Sequence, residues 1–334
     1  MRAVRCETPE QLNGPGVHAF AVESPGPIDS HPLRLIERPP PEPGPSQVRV
    51  RVRACGVCRT DLHLAEGDLP PQHRLVTPGH EIVGVVDRLG SGARRFRLGD
   101  RIGIAWLART CGACRFCVTG RENLCVEPLF TGWHRDGGYG EYVLADEDFA
   151  YALPDELSDE RAAPLLCAGI IGARALARAE LPDKGRLGIY GFGASAHLCL
   201  QLALDMGARV HVISRSPAKR ALAIDLGAAS AHGADGRPPE ALDSAILFAP
   251  AGELVAGCLA ALERGGRLVV AGIHLSEIPP LSYDAHLSGE KILTSVTANT
   301  RKDGTDFLQA AMRIDIEVST AAYPMLRANE ALLD

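Results

Sequence analysis

The run Leu187-Gly-Ile-Tyr190-Gly191-Phe-Gly193-Ala194-Ser195-Ala196 decides the fold. It reads as a short apolar strand, a glycine turn and the opening of an apolar helix that the pattern carries to Met206. A strand passing through G-x-G-x-x-G/A directly into a helix is built to cradle a dinucleotide. Gly191 allows the tight turn, Gly193 lets backbone approach the pyrophosphate, and Ala196 lets the helix pack closely on the sheet. The backbone of Ala194 and Ser195 opens the helix N-terminus, which faces the anion. Taken alone the motif is weak, because glycine turns between strand and helix are common.

Its surroundings strengthen it. Strand patterns at 210–213, 245–248, 267–272 and 291–296 alternate with helix patterns at 217–226 and 253–263. The first of those helices opens after Ser216 as N-cap and ends at Gly227. Upstream, the alanine-rich stretch 162–179 reads as a helix despite Gly169 and Gly172. The alternation predicts an α/β fold with a doubly wound parallel sheet. Where an acidic residue would bind the adenosine ribose, about 20 residues past the turn, stands Ser214-Arg215-Ser216. Hydroxyls and a guanidinium bond a 2′-phosphate that a carboxylate would repel. NADP(H) is therefore favoured, with NAD(H) as the alternative.

The N-terminal part differs in character. Prolines such as Pro39, Pro40, Pro41 and Pro43 punctuate short extended pieces, and Val48, Val50 and Val52 alternate with arginines as in a half-buried strand. Similar runs at 83–86 and 102–104 make this part mostly β. A chain of 334 residues with 46% hydrophobic content suits two domains. The 35 basic and 41 acidic residues give a net charge of −6, and the basic ones are scattered, so neither nucleic acid nor an anionic membrane is an expected partner. No apolar run is long enough to span a bilayer, and no export signal opens the chain, which predicts a cytoplasmic protein.

Two groups of metal-ligating residues stand out. Cys111, Cys114, Cys117 and Cys125 crowd one short loop. In a chain with ten cysteines and no sign of an oxidising compartment, the expected use is a closed, structural zinc site with four sulfur ligands. Cys55-Gly-Val-Cys58-Arg59-Thr60-Asp61-Leu-His63, Gly79-His80-Glu81 and the distant Cys167 hold thiols, imidazoles and carboxylates. They can supply two sulfurs and one nitrogen to a catalytic zinc with an open position. Spacing alone neither chooses between Cys55 and Cys58 nor brings Cys167 in.

The segments 58–63 and 79–81, the four-cysteine loop, Asp136-Gly-Gly-Tyr139-Gly-Glu-Tyr142, Cys167 and the glycine turn stand in one order across nearly the whole chain. In this the chain resembles the zinc-dependent alcohol dehydrogenases of the medium-chain dehydrogenase/reductase superfamily. The resemblance implies a GroES-like, mostly β catalytic domain over residues 1–154, a Rossmann domain over 155–297, and a return segment 298–334. It implies two zinc ions per subunit, the catalytic one held by Cys58, His80 and Cys167, with Cys55 a bystander. Asp61 resembles the carboxylate that accepts the free N–H of the histidine ligand, and Glu81 a glutamate that approaches zinc during ligand exchange.

Thr60, beside Cys58, is placed to take the alcohol proton, and the resemblance implies that the path goes on through the nicotinamide ribose to His63 near solvent. Trp106 resembles a residue lining the substrate pocket, where with Leu107 and Trp133 it would form an apolar slot, and Arg59 would touch the pyrophosphate. The implied reaction is hydride transfer between a primary or secondary alcohol and its aldehyde or ketone, by a homodimer or homotetramer. The rivals are a zinc-free quinone or enoyl reductase of the same fold, a polyol or formaldehyde dehydrogenase, and a zinc-stabilised nucleotide sensor without catalysis. The sequence ends at Asp334, where family members usually continue into a further short strand.

Overall fold

The computed structural model describes residues 1–6 and 16–334. They form two compact units, Met1–Cys167 with Ala298–Thr305 and Val318–Asp334, and Ala168–Thr297 with Asp306–Glu317. The sequence reading draws its first boundary after residue 154, whereas the compact unit extends to Cys167. The intervening segment stays with the first unit because Leu157, Ala162, Leu165 and Leu166 are buried. In addition, Arg101 donates to Asp159 Oδ1 at 2.9 Å and to the Leu157 carbonyl at 2.7 Å. Residues 306–317 belong to the second unit, where the Phe307 ring lies against Gly169.

The first unit is built on a seven-stranded sheet in the order Ala150–Ala152, Arg101–Ile104, Ile82–Leu89, Gln47–Gly56, Arg2–Arg5, Ala321–Pro324, with Tyr142–Asp146 also paired to Gln47–Gly56. The alternation in Gln47–Gly56 works as the sequence suggests. Val48, Val50 and Val52 are buried while Arg51 and Arg53 are exposed, and the valines join Ile82, Ile102 and Tyr139 in one core. Each such buried aliphatic side chain contributes about 1.5–3 kcal/mol. The core closes with Ala328, Ala331 and Leu332 from the C-terminal helix Ala328–Leu333.

In the second unit six strands run parallel in the order Ser230–His232, Arg209–Ile213, Arg186–Tyr190, Leu242–Leu247, Leu262–Val270, Ile292–Ser295. Their residues Ile189, Val210, Val212, Ala245, Ile246, Leu268 and Val269 are all fully buried, as strands covered on both faces must be. The chain order reverses at Arg186–Tyr190, so the glycine turn at its carboxyl end sits at the topological switch point.

Two helices differ from the sequence reading. The stretch 162–179 is not one helix: a turn of 3₁₀ helix, Ala163–Leu166, stops at Cys167, whose φ of −128° and ψ of −70° break the helical path before Ala168–Ala179 begins. Its two glycines serve close packing, since a Cβ on Gly172 would lie 2.7 Å from the Ser195 carbonyl in the neighbouring helix Ala194–Asp205. The helix read over 253–263 is shorter, Leu254–Ala260, because the next strand already starts at Leu262. Among the described residues no single helix is long and apolar enough to cross a membrane.

The four-cysteine loop is fastened to the returning segment by Glu122, which accepts from the Arg301 backbone N–H and Nε, both at 2.9 Å, and from Nη2 at 3.2 Å. The Arg301 guanidinium holds the Glu122 carboxyl below the usual carboxylate range. A depressed folded-state pKa stabilises the fold above the unfolded carboxyl pKa, and that stabilisation is lost as pH falls through the folded value. Glu122→Gln should therefore cost about 1–2 kcal/mol at pH 7. In urea unfolding the gap to wild type should close as the pH drops through the acid range; a gap independent of pH would contradict the ion-pair account.

Candidate active site and metal centres

The four cysteines of the loop bring their sulfur atoms within 4.8 Å of one another. Cys125 and Cys111 are 3.5 Å apart, Cys114 and Cys117 3.6 Å, and Cys111 and Cys117 3.9 Å. Thiolates about 2.3 Å from a tetrahedral ion stand about 3.8 Å apart, whereas a disulfide needs about 2.05 Å. All ten cysteines are free. Backbone N–H groups of Cys111, Cys114 and Glu127 point at the sulfurs from 3.3–3.4 Å. The Cys114 thiol is lowered to about 6, first by the backbone N–H of Cys117 and then by that of Val126. The donor set and its spacing fit a four-sulfur zinc site.

A second cluster joins Cys58, His80, Glu81 and Cys167, again with donor atoms within 4.8 Å. Cys58 sits at the N-cap of the helix Arg59–Glu66, His80 and Glu81 immediately precede the strand Ile82–Leu89, and Cys167 occupies the helix break. The two sulfurs are 4.0 Å apart. His80 and Glu81 are 1% and 4% exposed. The hydrogen bond from Cys167 pulls the Cys58 thiol well below its ordinary range and pushes Cys167 correspondingly up. Burial raises the Glu81 carboxyl. Two sulfurs and a nitrogen around one point, with a carboxyl nearby, fit a zinc site that keeps a position for exchange. Cys55 is fully buried but lies outside the cluster, its sulfur facing Gly79 and Gly138.

Asp61, 2% exposed, lies behind His80, with Oδ1 3.3 Å from His80 Nδ1. No closer hydrogen bond satisfies that nitrogen among the described residues. Asp61 also caps its own helix by accepting from the Cys58 N–H at 2.9 Å. Thr60 Oγ1 is 3.6 Å from Cys58 Sγ. His63 follows three residues later on the same helix, its Nδ1 2.9 Å from Asp68 Oδ2. Asp68 carries no motif, and the sequence reading passes over it.

An aromatic wall begins at His80. Its ring meets Trp106 edge-on at 5.0 Å between centroids, and Trp106 lies nearly parallel to Phe130 at 4.8 Å and to Trp133 at 6.1 Å. Trp133 is pinned by Nε1 donating to the Pro70 carbonyl at 2.8 Å. Phe130 belongs to this wall although no pattern marks it in the sequence. Leu107, expected to line the slot, is 3% exposed in the short strand Leu107–Arg109.

In the second unit Gly191 has φ +86°, and a Cβ there would lie 2.7 Å from the Ala249 nitrogen. Gly193 is the N-cap of Ala194–Asp205 without a side-chain cap, and a Cβ on it would meet nothing within 4 Å. That empty space beside uncapped N–H groups fits a bound anion. Ser214 and Arg215 follow the neighbouring strand Arg209–Ile213, where Arg220 Nη1 donates to both of their carbonyls at 2.8 and 2.9 Å. This brings in a second guanidinium that motif spacing does not single out. Arg59 is exposed at the start of its helix.

Residues 44–155 match the family described as alcohol dehydrogenase GroES-like domain. The chain is 53% identical over 321 residues to the protein named probable alcohol dehydrogenase AdhA of Mycobacterium tuberculosis, covering 95% of this chain and 93% of that one. The chain belongs to the zinc-dependent alcohol dehydrogenases of the medium-chain dehydrogenase/reductase superfamily. The cobalt- and zinc-bound thermostable alcohol dehydrogenase of Pyrobaculum aerophilum matches with a TM-score of 0.87 at 25% identity over 95% of each chain. The CAD of Helicobacter pylori complexed with NADP(H) matches with a TM-score of 0.83 at 25% identity, covering 95% of this chain and 94% of that one. The chain is an oxidoreductase whose two units have the GroES-like and Rossmann folds.

The two turn glycines separate backbone demand from ligand demand. Gly191→Ala forces a left-handed conformation and a clash with backbone, so it should cost at least about 1–2 kcal/mol. Gly193→Ala should leave the urea midpoint within error of wild type while weakening retention on an immobilised dinucleotide. Equal destabilisation by both would contradict this division.

Proposed function

We propose that this chain interconverts primary or secondary alcohols with their aldehydes or ketones by hydride transfer, using one catalytic and one structural zinc per chain and NADP(H) in preference to NAD(H). The observation that carries this reading is the convergence of Cys58, His80 and Cys167, two of them 109 residues apart in sequence, around one buried point. A zinc-free reductase has no use for three such ligands. The NADP(H) in the Helicobacter pylori relative and the zinc in the Pyrobaculum aerophilum relative support the choice of cofactors. The first unit would carry metal and substrate chemistry, and the second would hold the coenzyme.

Zinc supplies a Lewis acid that favours the deprotonated alcohol near neutral pH, and nicotinamide supplies the hydride acceptor. The protein does the rest. Cys58, Cys167 and His80 hold the metal, and Asp61 keeps the His80 proton on Nδ1 so that Nε2 is free to bind. Glu81 is the carboxyl close enough to assist ligand exchange. Thr60 would take up the alcohol proton while releasing its own hydroxyl proton to the relay, and His63, on the same helical face and steadied by Asp68, would hand a proton to solvent. Trp106, Phe130 and Trp133 form a flat apolar wall that excludes water and receives an alkyl or aryl group.

For the coenzyme, the backbone of Gly191, Gly193, Ala194 and Ser195 would take the pyrophosphate with help from Arg59. Ser214, Arg215 and Arg220 would take the 2′-phosphate. The working form is a cytoplasmic homodimer or homotetramer.

Steady-state kinetics on hexanol, benzyl alcohol and their aldehydes with both coenzymes test the proposal. kcat/KM should be higher with NADPH than with NADH. Cys167→Ala should lower turnover by about three orders of magnitude or more while the protein still folds. A preference for NADH removes the role given to Ser214, Arg215 and Arg220 alone. Undiminished turnover in Cys167→Ala removes the catalytic metal.

A further inference from the structure

The segment 136–142 lies against the loop that carries His80, and Tyr139 within it has no part in the chemistry described above. Tyr139 is fully buried. Gly137, Gly138 and Tyr139 donate their backbone N–H groups to the carbonyls of Thr77, Gly79 and Pro78 at 2.7, 3.0 and 3.1 Å. The Tyr139 ring covers Gly79, whose φ is +98° and whose Cβ, if present, would lie 2.7 Å from Tyr139 Cδ1. The ring is thus held in place by the same backbone that positions His80.

From that position Tyr139 Oη reaches Asp61 Oδ2 at 3.4 Å. Asp61 already receives the Cys58 N–H on Oδ2 at 2.9 Å and the Gly79 N–H on Oδ1 at 3.0 Å. A carboxylate offers about four lone-pair sites. Three donors fill all but one, and His80 Nδ1, 3.3 Å from Oδ1, faces the remainder. With every other site taken, the carboxylate can neither rotate away from His80 nor serve another donor.

We infer that Tyr139 is a positioning residue for the catalytic metal: its hydroxyl locks Asp61, which in turn fixes the orientation and the Nδ1–H tautomer of His80. The inference rests on His80 being a metal ligand. A tyrosine hydroxyl is protonated at neutral pH and able to donate. A partner directly beside a metal ligand, as Asp61 is beside His80, typically changes the metal's hold about 10–100-fold, and Tyr139, acting through Asp61, is expected at the low end of that range.

The test follows zinc transfer from the zinc-loaded protein to the chromogenic chelator 4-(2-pyridylazo)resorcinol, in wild type, Tyr139→Phe, Asp61→Asn and the double variant. Phenylalanine keeps the ring on Gly79 and removes only the hydroxyl. Tyr139→Phe should release the catalytic zinc about tenfold faster, with the structural zinc leaving at its wild-type rate. It should add nothing once Asp61 is asparagine. Unchanged release in Tyr139→Phe, equal acceleration of both zinc ions, or full additivity in the double variant would each overturn the inference. If wild type itself yields a single zinc, the assignment of His80 as ligand falls instead.

Discussion

Desolvated sulfur and nitrogen donors must be given something to bind, and that constraint governs the first unit. Cys58 and Cys167 stand 4.0 Å apart beside an imidazole that is 1% exposed. Leaving the buried imidazole without a partner costs free energy, while a divalent ion would turn the same proximity into binding energy. Local departures from regular structure meet at this point. A helix stops at Cys167, Gly79 takes a positive φ just before His80, and Asp61 serves both as helix cap and as the neighbour of Nδ1.

The two candidate metal centres divide their duties according to their donors. Four sulfurs in a surface loop would leave no position for substrate, so an ion there would only shape the loop, which Glu122 and Arg301 tie to the returning segment. Two sulfurs, one nitrogen and a neighbouring carboxyl leave room for exchange, and the aromatic wall starts directly at the histidine. The parallel order of the second unit places a bare helix N-terminus at the switch point, and the missing Cβ of Gly193 keeps the approach open.

Much of this was legible in the sequence, for reasons that can be named. Strand, glycine turn and helix follow one another without interruption at 187–196, so the local pattern marks the turn, and the alternating strands and helices around it make it a candidate dinucleotide site. The four-cysteine loop is equally local. Cys167 was not legible from spacing because the contact with Cys58 spans 109 residues, and only resemblance brought it in. The continuous helix read over 162–179 failed because tertiary demand at Cys167 overrides alanine propensity, while Gly169 and Gly172, which looked like weaknesses, are packing contacts. Phe130, Asp68 and Arg220 escaped notice because their roles depend on what folds beside them rather than on their neighbours in the chain.

The most direct measurement is the zinc content of the protein after exhaustive dialysis, in wild type and in a variant with Cys58 and Cys167 both changed to alanine. Two zinc ions per wild-type chain, falling to one in the folded variant, is the expected result. One zinc in both proteins would mean that the buried cluster binds no metal, and the catalytic centre described here would have to be abandoned.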